Sequence, residues 1–326
     1  MTTKETIESM LEKSEDAYII TDLVAEGLLI SKLSVMRLMK ELEDEGYEFE
    51  DMHRRGYRRK PGSDPLNAAC IKRHLDDYSI RFRIDYFDEI SSTNQYLKDK
   101  AEILPEWTAA VAARQTDGKG RMGRSFYSPE RTGVYLSMLL KPSISAEESV
   151  KITTAAAVAA CLAIEEETKE VPSIKWVNDI YVRGGKACGI LTESAADPET
   201  GKLKWAVMGI GFNVYQPWGG FPEDIADTAG FISKGRSGDL RCRIAASFMR
   251  HFYDICSDLS DHSFIEEYKK RSFLPGKRVD VIRGESSVPA EVTGIDDDCR
   301  LLVRYDDGTT EALSSGEVSV RAQDQQ

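Results

Sequence analysis

The sequence is poor in the features that mark secreted or membrane proteins. Its six cysteines are scattered through 326 residues without a CxxC pair, at positions 70, 161, 188, 242, 256 and 299. In a chain of this length, such spacing favours reduced and mostly buried thiols. No apolar run approaches the ~20 residues that a membrane helix needs. The polar start MTTKETIESM is not typical of a secretory signal. We therefore expect a cytoplasmic protein with no membrane partner.

Metal-ligand spacing and excess positive charge are also missing. The histidines at 53, 74, 251 and 262 show no metal-ligand spacing with the cysteines, so no protein-built metal site is expected. Lys and Arg number 43 against 55 Asp and Glu, a net charge of −12. An acidic chain binds nucleic acid poorly, and any DNA contact has to come from a local basic surface.

The chain divides into three segments. Apolar residues at helical spacing between Ile7 and Leu42 predict a small helical unit, and the stretch around Gly56 predicts a hairpin or wing. A Pro-Gly pair at 61–62 marks a linker. Strand-like and helical stretches then alternate from about residue 66 to 272, which indicates an α/β or α+β layer domain. After Pro275, short strands separated by Asp/Gly turns suggest a small β-barrel.

Individual elements follow from the same patterns. The strand candidates of the middle segment are Ile84–Phe87, Ala109–Ala113, Val134–Leu140, Ile174–Val177, Gly189–Thr192 and Trp205–Ile210, and its helix candidates include Ile152–Glu166 and Arg243–Leu259. The strand candidates of the last segment are Arg278–Ile282, Ala290–Ile295, Leu301–Tyr305 and Glu311–Leu313.

The loop GKGRMGR, residues 118–124, formally matches GxGxxG. The residues that follow do not start a helix, and a terminal Lys-Ser/Thr pair is missing, so neither a dinucleotide fingerprint nor a P-loop is supported. Its glycines let backbone N–H groups approach an anion, and Lys119, Arg121 and Arg124 add positive charge. A solvated basic turn and an anion clamp remain the two interpretations.

A second group of polar residues lies in IKWVNDIYVRGGKACGILTE, residues 174–193. Lys175, Asn178 and Asp179 are placed at a strand end, and a Gly-Gly turn presents Lys186 on the next strand. Such a set can orient an anionic acyl group and a metal–phosphate, whereas a charged hairpin is the structural alternative.

Two shorter stretches complete the set. The residues Ser91–Asn94 can cap a helix or surround the amide head group of a ligand. Gly209, Gly211 and Asn213 lie on a predicted strand where a ligand could approach the backbone.

In this order, the four stretches resemble biotin–protein ligases of the bifunctional bacterial type that doubles as the biotin operon repressor. The specific motifs are GKGRMGR followed by FYSP, and KWxND followed by GKxxGILxE. The resemblance implies an α+β multidomain chain. It would contain an N-terminal winged helix-turn-helix (1–62), a central class II aminoacyl-tRNA synthetase-like mixed α/β catalytic domain (66–273) and a C-terminal SH3-like β-barrel (275–322). Val177 departs from the proline that the family usually has there.

The resemblance also implies a site, cofactors and a reaction. Biotin would be bound by Ser92, Thr93, Asn94, Gln115, Gly118, Lys119, Gly120, Arg121, Lys186 and Gly189, and ATP or the adenylate by Arg121, Arg124, Lys175, Asn178, Asp179 and Asn213. Arg121, Lys186 and Asp179 would be catalytic. ATP would arrive with Mg²⁺, biotinoyl-AMP would form, and biotin would pass to a lysine of a biotin carboxyl-carrier protein domain. A homodimer on adenylate binding is the family's further expectation.

The N-terminal segment resembles a DNA-binding unit for operator DNA. Its candidate contacts are Ser31, Lys32, Arg37 and Lys40 on the recognition helix and Arg54, Arg55, Arg58 and Arg59 on the wing. Leu29 occupies the turn position where the family prefers glycine, and residues 1–60 hold ten basic against fourteen acidic side chains.

Two alternatives stay open beside the ligase–repressor. A lipoate–protein ligase shares the fold and the chemistry, although the ending GILTE at 189–193 is of the biotin type. A ligand-sensing repressor without ligase activity is the other, against which the intact Arg121, Asp179 and Lys186 argue.

Overall fold

The computed structural model describes residues 2–14, 17–44, 47–53, 55–60, 63–236, 238–283, 286–314 and 317–320. Residues 2–60, here called the N-terminal unit, contain in chain order α1 (Thr3–Lys13), β1 (Ile19–Ile20), α2 (Thr21–Gly27), α3 (Lys32–Asp44), β2 (Phe49–Asp51) and β3 (Gly56–Arg59). The strands form an antiparallel sheet in the order β1-β3-β2. Buried residues such as Ile7, Val35 and Leu42 form a core cluster of its own.

The turn between α2 and α3 contains Leu29 in an unfavourable conformation. Its φ is 55°, in the left-handed region, and the residue is 93% exposed. A side chain costs about 1–2 kcal/mol there, whereas glycine adopts the same φ without that cost. The backbone of this turn therefore explains why glycine suits the position.

The middle of the chain forms one mixed sheet covered on both faces. Its elements are α4 (Ala68–Leu75), β4 (Arg83–Ile90), α5 (Thr93–Asp99), β5 (Thr108–Gln115), β6 (Gly133–Leu140), α6 (Val150–Glu167), β7 (Ser173–Lys175), β8 (Asp179–Val182), β9 (Gly185–Ala196), β10 (Leu203–Asn213), α7 (Leu240–Ser257) and α8 (Ser263–Arg271). The strand order is β4-β5-β6-β10-β9-β8-β7, with β4 and β5 parallel and the other pairs antiparallel.

Successive side chains of β6 and β10 point to opposite faces of the sheet, which shows which residues lie on each face. Leu136 and Met138 join the main core with α6 and α7, whereas Leu139 and Val207 pack with Leu97 of α5. Because side chains alternate along a strand, Ser137, Gly209 and Gly211 lie on the α5 face. Helices cover both faces of the sheet, so most residues on these faces are apolar. A buried polar residue on the α5 face, such as Ser137, departs from this pattern.

The last segment forms a five-stranded antiparallel sheet. Its strands are β11 (Arg278–Arg283), β12 (Ser286–Ile295), β13 (Leu301–Tyr305), β14 (Thr310–Leu313) and β15 (Glu317–Val320), paired in the order β14-β13-β12-β11-β15. Their buried residues belong to the same core cluster as α6 and α7, and the Trp176 indole donates to the Cys299 carbonyl at 2.9 Å. Pairing between β14 and β15 is absent among the described residues, and the SH3-like barrel stays a prediction.

The predicted strands and helices are confirmed, most of them with longer bounds. The strand Leu301–Tyr305 has the expected bounds, whereas the helix expected at Arg243–Leu259 begins earlier, at Leu240, and ends at Ser257. One strand is shorter than expected. The strand expected at Ile174–Val177 ends at Lys175, since Trp176 and Val177 lie in the turn before β8, with a cis peptide bond between them. The elements α4, α8, β8 and β15 were not among the candidates. None of the described helices is both long and apolar enough to span a membrane.

Polar contacts join the N-terminal unit to the rest of the chain. Arg73 of α4 donates to the Tyr47 hydroxyl at 2.7 Å, and Arg131 lies 3.7 Å from Glu48. Just after the unit, Asp64 accepts a hydrogen bond at 2.9 Å from Arg241, and both side chains are buried. We call these contacts the junction.

Candidate active site

A cavity of about 280 Å³ opens on the α5 face of the sheet and gathers the predicted site. Its lining includes every predicted biotin or nucleotide residue except one: Ser92, Thr93, Asn94, Gln115, Lys119, Gly120, Arg121, Arg124, Lys175, Asn178, Asp179, Lys186, Gly189 and Asn213. The exception is Gly118, which is not part of the lining. A side chain there would overlap the Phe126 carbonyl oxygen and the Ser128 hydroxyl, so this glycine allows the loop to close on itself.

One end of the cavity is a buried, uncharged polar network. Thr93 donates its backbone N–H to Gln115 Oε1 at 2.9 Å, and its hydroxyl reaches the same oxygen at 3.1 Å. The Ser137 hydroxyl lies 2.7 Å from Thr93 Oγ1 and 2.6 Å from Asn94 Oδ1. Ser137, Thr93 and Asn94 are all at most 5% exposed. Fixed donors and acceptors in such a buried site recognise a ligand by hydrogen bonding.

Behind this network, charges hold Asn94 in place. Its amide Nδ2 donates to the Leu191 carbonyl at 3.3 Å and to Glu193 Oε2 at 3.0 Å, and Lys98 donates to Glu193 Oε1 at 2.6 Å. Burial raises the pKa of Glu193, but the hydrogen bonds from Lys98 and Asn94 outweigh it and keep the pKa below its usual value. Glu193 therefore stays ionised and fixes which way the Asn94 amide points.

The other end of the cavity carries the charged residues. Arg121 Nη1 donates to Asn178 Oδ1 at 3.0 Å, and the Asn178 amide donates to the Ile190 carbonyl at 2.9 Å. Lys186 Nζ lies 2.7 Å from Asp179 Oδ1, a buried oxygen that has no aligned hydrogen bond. These side chains come from the loop 118–124, the β7–β8 turn and the start of β9. The arrangement suits an anion bound between the loop and the hairpin.

The loop itself is a tight turn that places an aromatic ring in the cavity. Gly120 N–H donates to the Arg124 carbonyl at 2.7 Å, and Phe126 N–H donates to the Gly118 carbonyl at 2.7 Å. Gly123 at φ 75° completes the turn, where glycine is favoured. The loop thereby holds Arg121 and Phe126 over the sheet.

The glycines of β10 have a role that the sequence analysis did not foresee. Gly209 and Gly211 line the cavity, as expected for a strand that a ligand can approach, and side chains of the protein itself also pack against them. A Cβ at Gly209 would overlap the Asn94 amide, and one at Gly211 would overlap the Phe126 ring. Both glycines make room for residues that line the cavity.

Sequence reasoning gave no role to several residues that line the cavity, namely Phe126, Tyr127, Ser137, Trp176, Phe221, Ile225 and Thr228. Ser137 stands in an apolar strand, where a serine is easily taken for a packing residue. The motif FYSP directly after the loop was the feature of the sequence that could have indicated a role for Phe126.

The residues predicted to contact DNA lie on the N-terminal unit, and most are paired. The Ser31 hydroxyl accepts from the Ser34 N–H at 3.0 Å at the start of α3. The basic side chains of α3 pair with acids, which are Asp22 for Lys32, Glu41 for Arg37, and Glu43 and Asp44 for Lys40. Positive charge on this helix is therefore largely neutralised in the protein alone.

The four arginines predicted to lie on a wing differ from one another. Arg55 is exposed, and Arg58 pairs with Glu50 and lies over the Tyr18 ring. Arg59 points towards the junction, where it donates to the Ser63 carbonyl at 3.1 Å. Arg54 lies outside the described residues.

A second group of side chains lies away from the cavity. The sequence analysis expected no protein-built metal site, yet the structure brings Cys70, His74 and Asp239 together, with one potential ligand atom from each within 4.8 Å of the others. Asp239 is 165 residues from His74 in the chain, which is why spacing did not reveal the group.

Comparison with known proteins agrees with this geometry. Residues 86–213 match the biotin/lipoate A/B protein ligase family, and residues 276–321 match the biotin protein ligase C-terminal domain. The bifunctional ligase/repressor BirA of Bacillus subtilis is 30% identical over 94% of this chain and 95% of that protein. A biotin–[acetyl-CoA-carboxylase] ligase of Mycobacterium tuberculosis is 29% identical over 78% of this chain and 95% of its own length. Among solved structures, a biotin protein ligase from Aquifex aeolicus in complex with biotin and ATP aligns with a TM-score of 0.60 and 27% identity, over 73% of this chain and 98% of that one.

Proposed function

The chain belongs to the biotin protein ligase family, and from this premise we propose that it activates biotin with ATP and transfers it to a lysine of a biotin carboxyl-carrier protein domain. The observation that carries the proposal is the two-ended cavity. One end offers buried, uncharged hydrogen-bonding groups, and the other offers Arg121 and Lys186 beside Asn178 and Asp179. An acid with a polar cyclic head group and a carboxylate tail matches both ends.

The uncharged end favours biotin over lipoate. A ureido ring has N–H donors and a carbonyl acceptor, which the side chains of Thr93, Asn94 and Ser137 can meet with acceptors and donors. A dithiolane ring has no such groups and would form none of these hydrogen bonds, each of which contributes about 0.5–1.5 kcal/mol. We therefore place lipoate among the poor substrates.

The charged end performs the first step. An oxygen of the biotin carboxylate attacks the α-phosphorus of ATP, the bond to the bridging oxygen breaks, and pyrophosphate leaves with the electron pair. Arg121 spans the carboxylate and the α-phosphate, and Lys186 holds the acyl oxygen. Because these cations are positioned before reaction, they stabilise the developing charge without reorganisation. Arg124, Lys175 and Asn213 line the same cavity and would contact the nucleotide.

Mg²⁺ fits the oxygen donors at this end. Asp179 Oδ1 is a buried carboxylate oxygen 2.7 Å from Lys186 Nζ, and Asn178 adds a carbonyl oxygen that accepts from Arg121, so the ion would share these oxygens with the two cations. Asp179 would hold the ion that comes with ATP, and the ion would neutralise charge on the phosphates.

The second step uses the same residues. The carrier lysine amine attacks the acyl carbon of biotinoyl-AMP, an amide bond forms, and AMP leaves with the electrons of the anhydride bond. As the alternative to holding the ion, Asp179 would accept the proton that the amine loses. The loop 118–124 covers the adenylate and excludes water, which would otherwise hydrolyse the anhydride.

The N-terminal unit supports a second role as a biotin-responsive repressor. Its element order of three helices and a three-stranded sheet fits a winged helix-turn-helix, with α3 as the recognition helix and β2–β3 as the wing. On binding, DNA phosphates would replace acids such as Glu41 and Asp44 as partners of the α3 cations. Homodimer formation on adenylate binding would bring two such units to one operator.

The test combines ATP, biotin or lipoate, and an acceptor carrier domain, with the mass of the acceptor as the readout. We expect biotin to be attached and lipoate not. In Arg121→Gly we expect a folded enzyme that releases biotinoyl-AMP and biotinylates about 10²- to 10³-fold more slowly. Arg131→Gly is the control, because Arg131 is likewise an arginine of a turn but lies outside the cavity. Normal adenylate retention in Arg121→Gly would remove Arg121 from this role.

A further inference from the structure

Helices α4 and α7 bring three side chains of metal-binding character together beside the junction. Cys70 and His74 are one turn apart on α4, and residues at i and i+4 share a face of a helix. Asp239 precedes α7, and its Oδ2 lies 2.6 Å from His74 Nε2 and 4.0 Å from Cys70 Sγ. The geometry thus places a thiol, an imidazole and a carboxylate around one point.

Burial makes this group unusual. Cys70 is fully buried, Asp239 is 8% exposed, and His74 is half-buried, so one edge of the group is open to solvent. A surface cluster of carboxylates would attract cations without specificity. A buried set that mixes sulfur, nitrogen and oxygen is instead the ligand chemistry of Zn²⁺.

The distances require only small adjustments. Zinc bonds of about 2.3 Å to sulfur and about 2.0–2.2 Å to nitrogen and oxygen place neighbouring tetrahedral ligands about 3.3–3.7 Å apart. The His74–Asp239 distance would lengthen and the Cys70–Asp239 distance would shorten, each by less than about 1 Å.

The second oxygen of Asp239 is already held. Arg243 Nε donates to Asp239 Oδ1 at 3.3 Å, which leaves Oδ2 directed at His74 and Cys70. Partners of this kind orient a ligand and tune the affinity of metal sites.

We propose that Cys70, His74 and Asp239 form a Zn²⁺ site that links α4 to α7, with water in the fourth position. Cys70 binds as the thiolate and His74 as the neutral imidazole. Their protons pass to solvent when the metal enters, so binding releases protons. The site is independent of the biotin cavity, which none of the three residues lines.

The chain offers a matched comparison for the simplest alternative, a histidine–carboxylate pair that needs no metal. His251 Nε2 of α7 lies 2.8 Å from Glu166 Oε2 of α6, and among the described residues no third histidine, cysteine or acidic side chain brings a potential ligand atom to this pair. If a histidine–carboxylate pair were enough, both places would bind metal equally.

The experiment titrates the metal-free full-length chain with Co²⁺ under reducing conditions and follows its absorption. We expect one Co²⁺ per chain, a thiolate-to-cobalt charge-transfer band in the near ultraviolet, and displacement by Zn²⁺. Cys70→Ser should abolish the charge-transfer band, and His74→Gln should weaken binding about tenfold or more. The controls His251→Gln and Cys256→Ser should bind as the unmodified chain does.

Absence of the band in the unmodified chain, or its persistence in Cys70→Ser, would overturn the proposal. Because Cys70 is fully buried, a second measurement covers the case in which its variant does not fold. Zn²⁺ should raise the Tm of the unmodified chain and of His251→Gln by the same amount, and that of His74→Gln by less, since stabilisation depends on how tightly the folded state binds the ion. An equal rise in all three would also refute the site.

Discussion

Gly209 shows how a single missing side chain shapes the uncharged end of the cavity. An added methyl group would overlap the Asn94 amide, which accepts from Ser137 at 2.6 Å. We expect Gly209→Ala to displace Asn94, to cost about 1–3 kcal/mol of stability, and to raise the KM for biotin at least tenfold. Steady-state biotinylation kinetics measure the effect.

The control for this prediction is another strand glycine. Gly294 lies in β12, where nothing stands within 4 Å of an added Cβ. We expect Gly294→Ala to leave the KM for biotin unchanged. A Gly209→Ala enzyme with the same KM as the unmodified chain would contradict the role given to Asn94.

Asp64 and Arg241 form a buried ion pair just after the N-terminal unit, and we expect this pair to contribute to the stability of the folded chain. Burial raises the pKa of Asp64, although Arg241 opposes this. In Arg241→Met the carboxylate loses its partner, and we expect the free energy of unfolding to fall by about 3–5 kcal/mol. Urea unfolding measures it. The double variant Asp64→Asn/Arg241→Met should regain part of the loss, and no recovery would argue against an uncompensated charge as the cause.

At the scale of residues, sequence reasoning found the charged end of the cavity better than the uncharged end. Arg121, Asp179 and Lys186 stand in polar motifs whose chemistry is visible in the sequence. Ser137 is a lone hydroxyl in an apolar strand, and only the approach of α5 to β6 gives it partners. Gly209 looked like space for a ligand because the sequence does not show which chain segment fills it.

Between elements, Glu166 joins the C-terminal end of α6 to the middle of α7. Burial raises the pKa of Glu166, but hydrogen bonds from Ser247, His251 and Arg250 outweigh it and lower the pKa to about 2. A lowered pKa means that the stabilisation is present above the ordinary value of 4.5 and is lost as the pH falls towards about 2.

We therefore expect the free energy of unfolding of Glu166→Gln to fall less at low pH than that of the unmodified chain. Between about pH 4.5 and about pH 2 the unmodified chain should lose about 1 kcal/mol more than the variant, after allowance for the screening of an exposed group. Urea unfolding as a function of pH gives the comparison. Glu102→Gln, an exposed loop carboxyl, should keep the acid dependence of the unmodified chain, and an equally flat curve would contradict the assignment.

At the scale of elements, hydrophobic pattern predicted the long strands and the buried α6, because both have many apolar residues in a row. It missed β8, whose four residues follow directly after a turn, and it extended β7 through Val177. An apolar residue in a buried turn cannot be told from a strand residue by hydrophobicity alone. Antiparallel pairing of β7 with β8 decides where the chain reverses.

For the whole molecule, the N-terminal unit and the rest of the chain have separate apolar cores. We expect a chain of residues 63–326 to fold and to keep its biotinylation rate, while losing operator binding. Biotinylation and gel-shift assays on the same preparation measure both. Loss of ligase activity on removal of the unit would show that the junction supports the active site.

The wing gives a prediction for the intact chain. The double variant Arg55→Ala/Arg58→Ala should bind the upstream operator more weakly. Because two phosphate contacts are lost, the slope of log K against log salt should become shallower by about 2. Lys202 and Lys204 to Ala remove the same charge from β10 and its preceding turn and should leave the slope unchanged. No gel shift of the unmodified chain at low salt, with biotin and ATP present, would refute repression.

The separate cores also bear on how this chain can change over generations. Substitutions inside the N-terminal unit alter its stability without moving Arg121 or Asn94, so selection can act on gene control and on catalysis almost independently. The junction is the exception, since Arg73 and Arg131 contact Tyr47 and Glu48 of the N-terminal unit. A lineage that no longer needs regulation could lose the unit by deletion and retain a working enzyme.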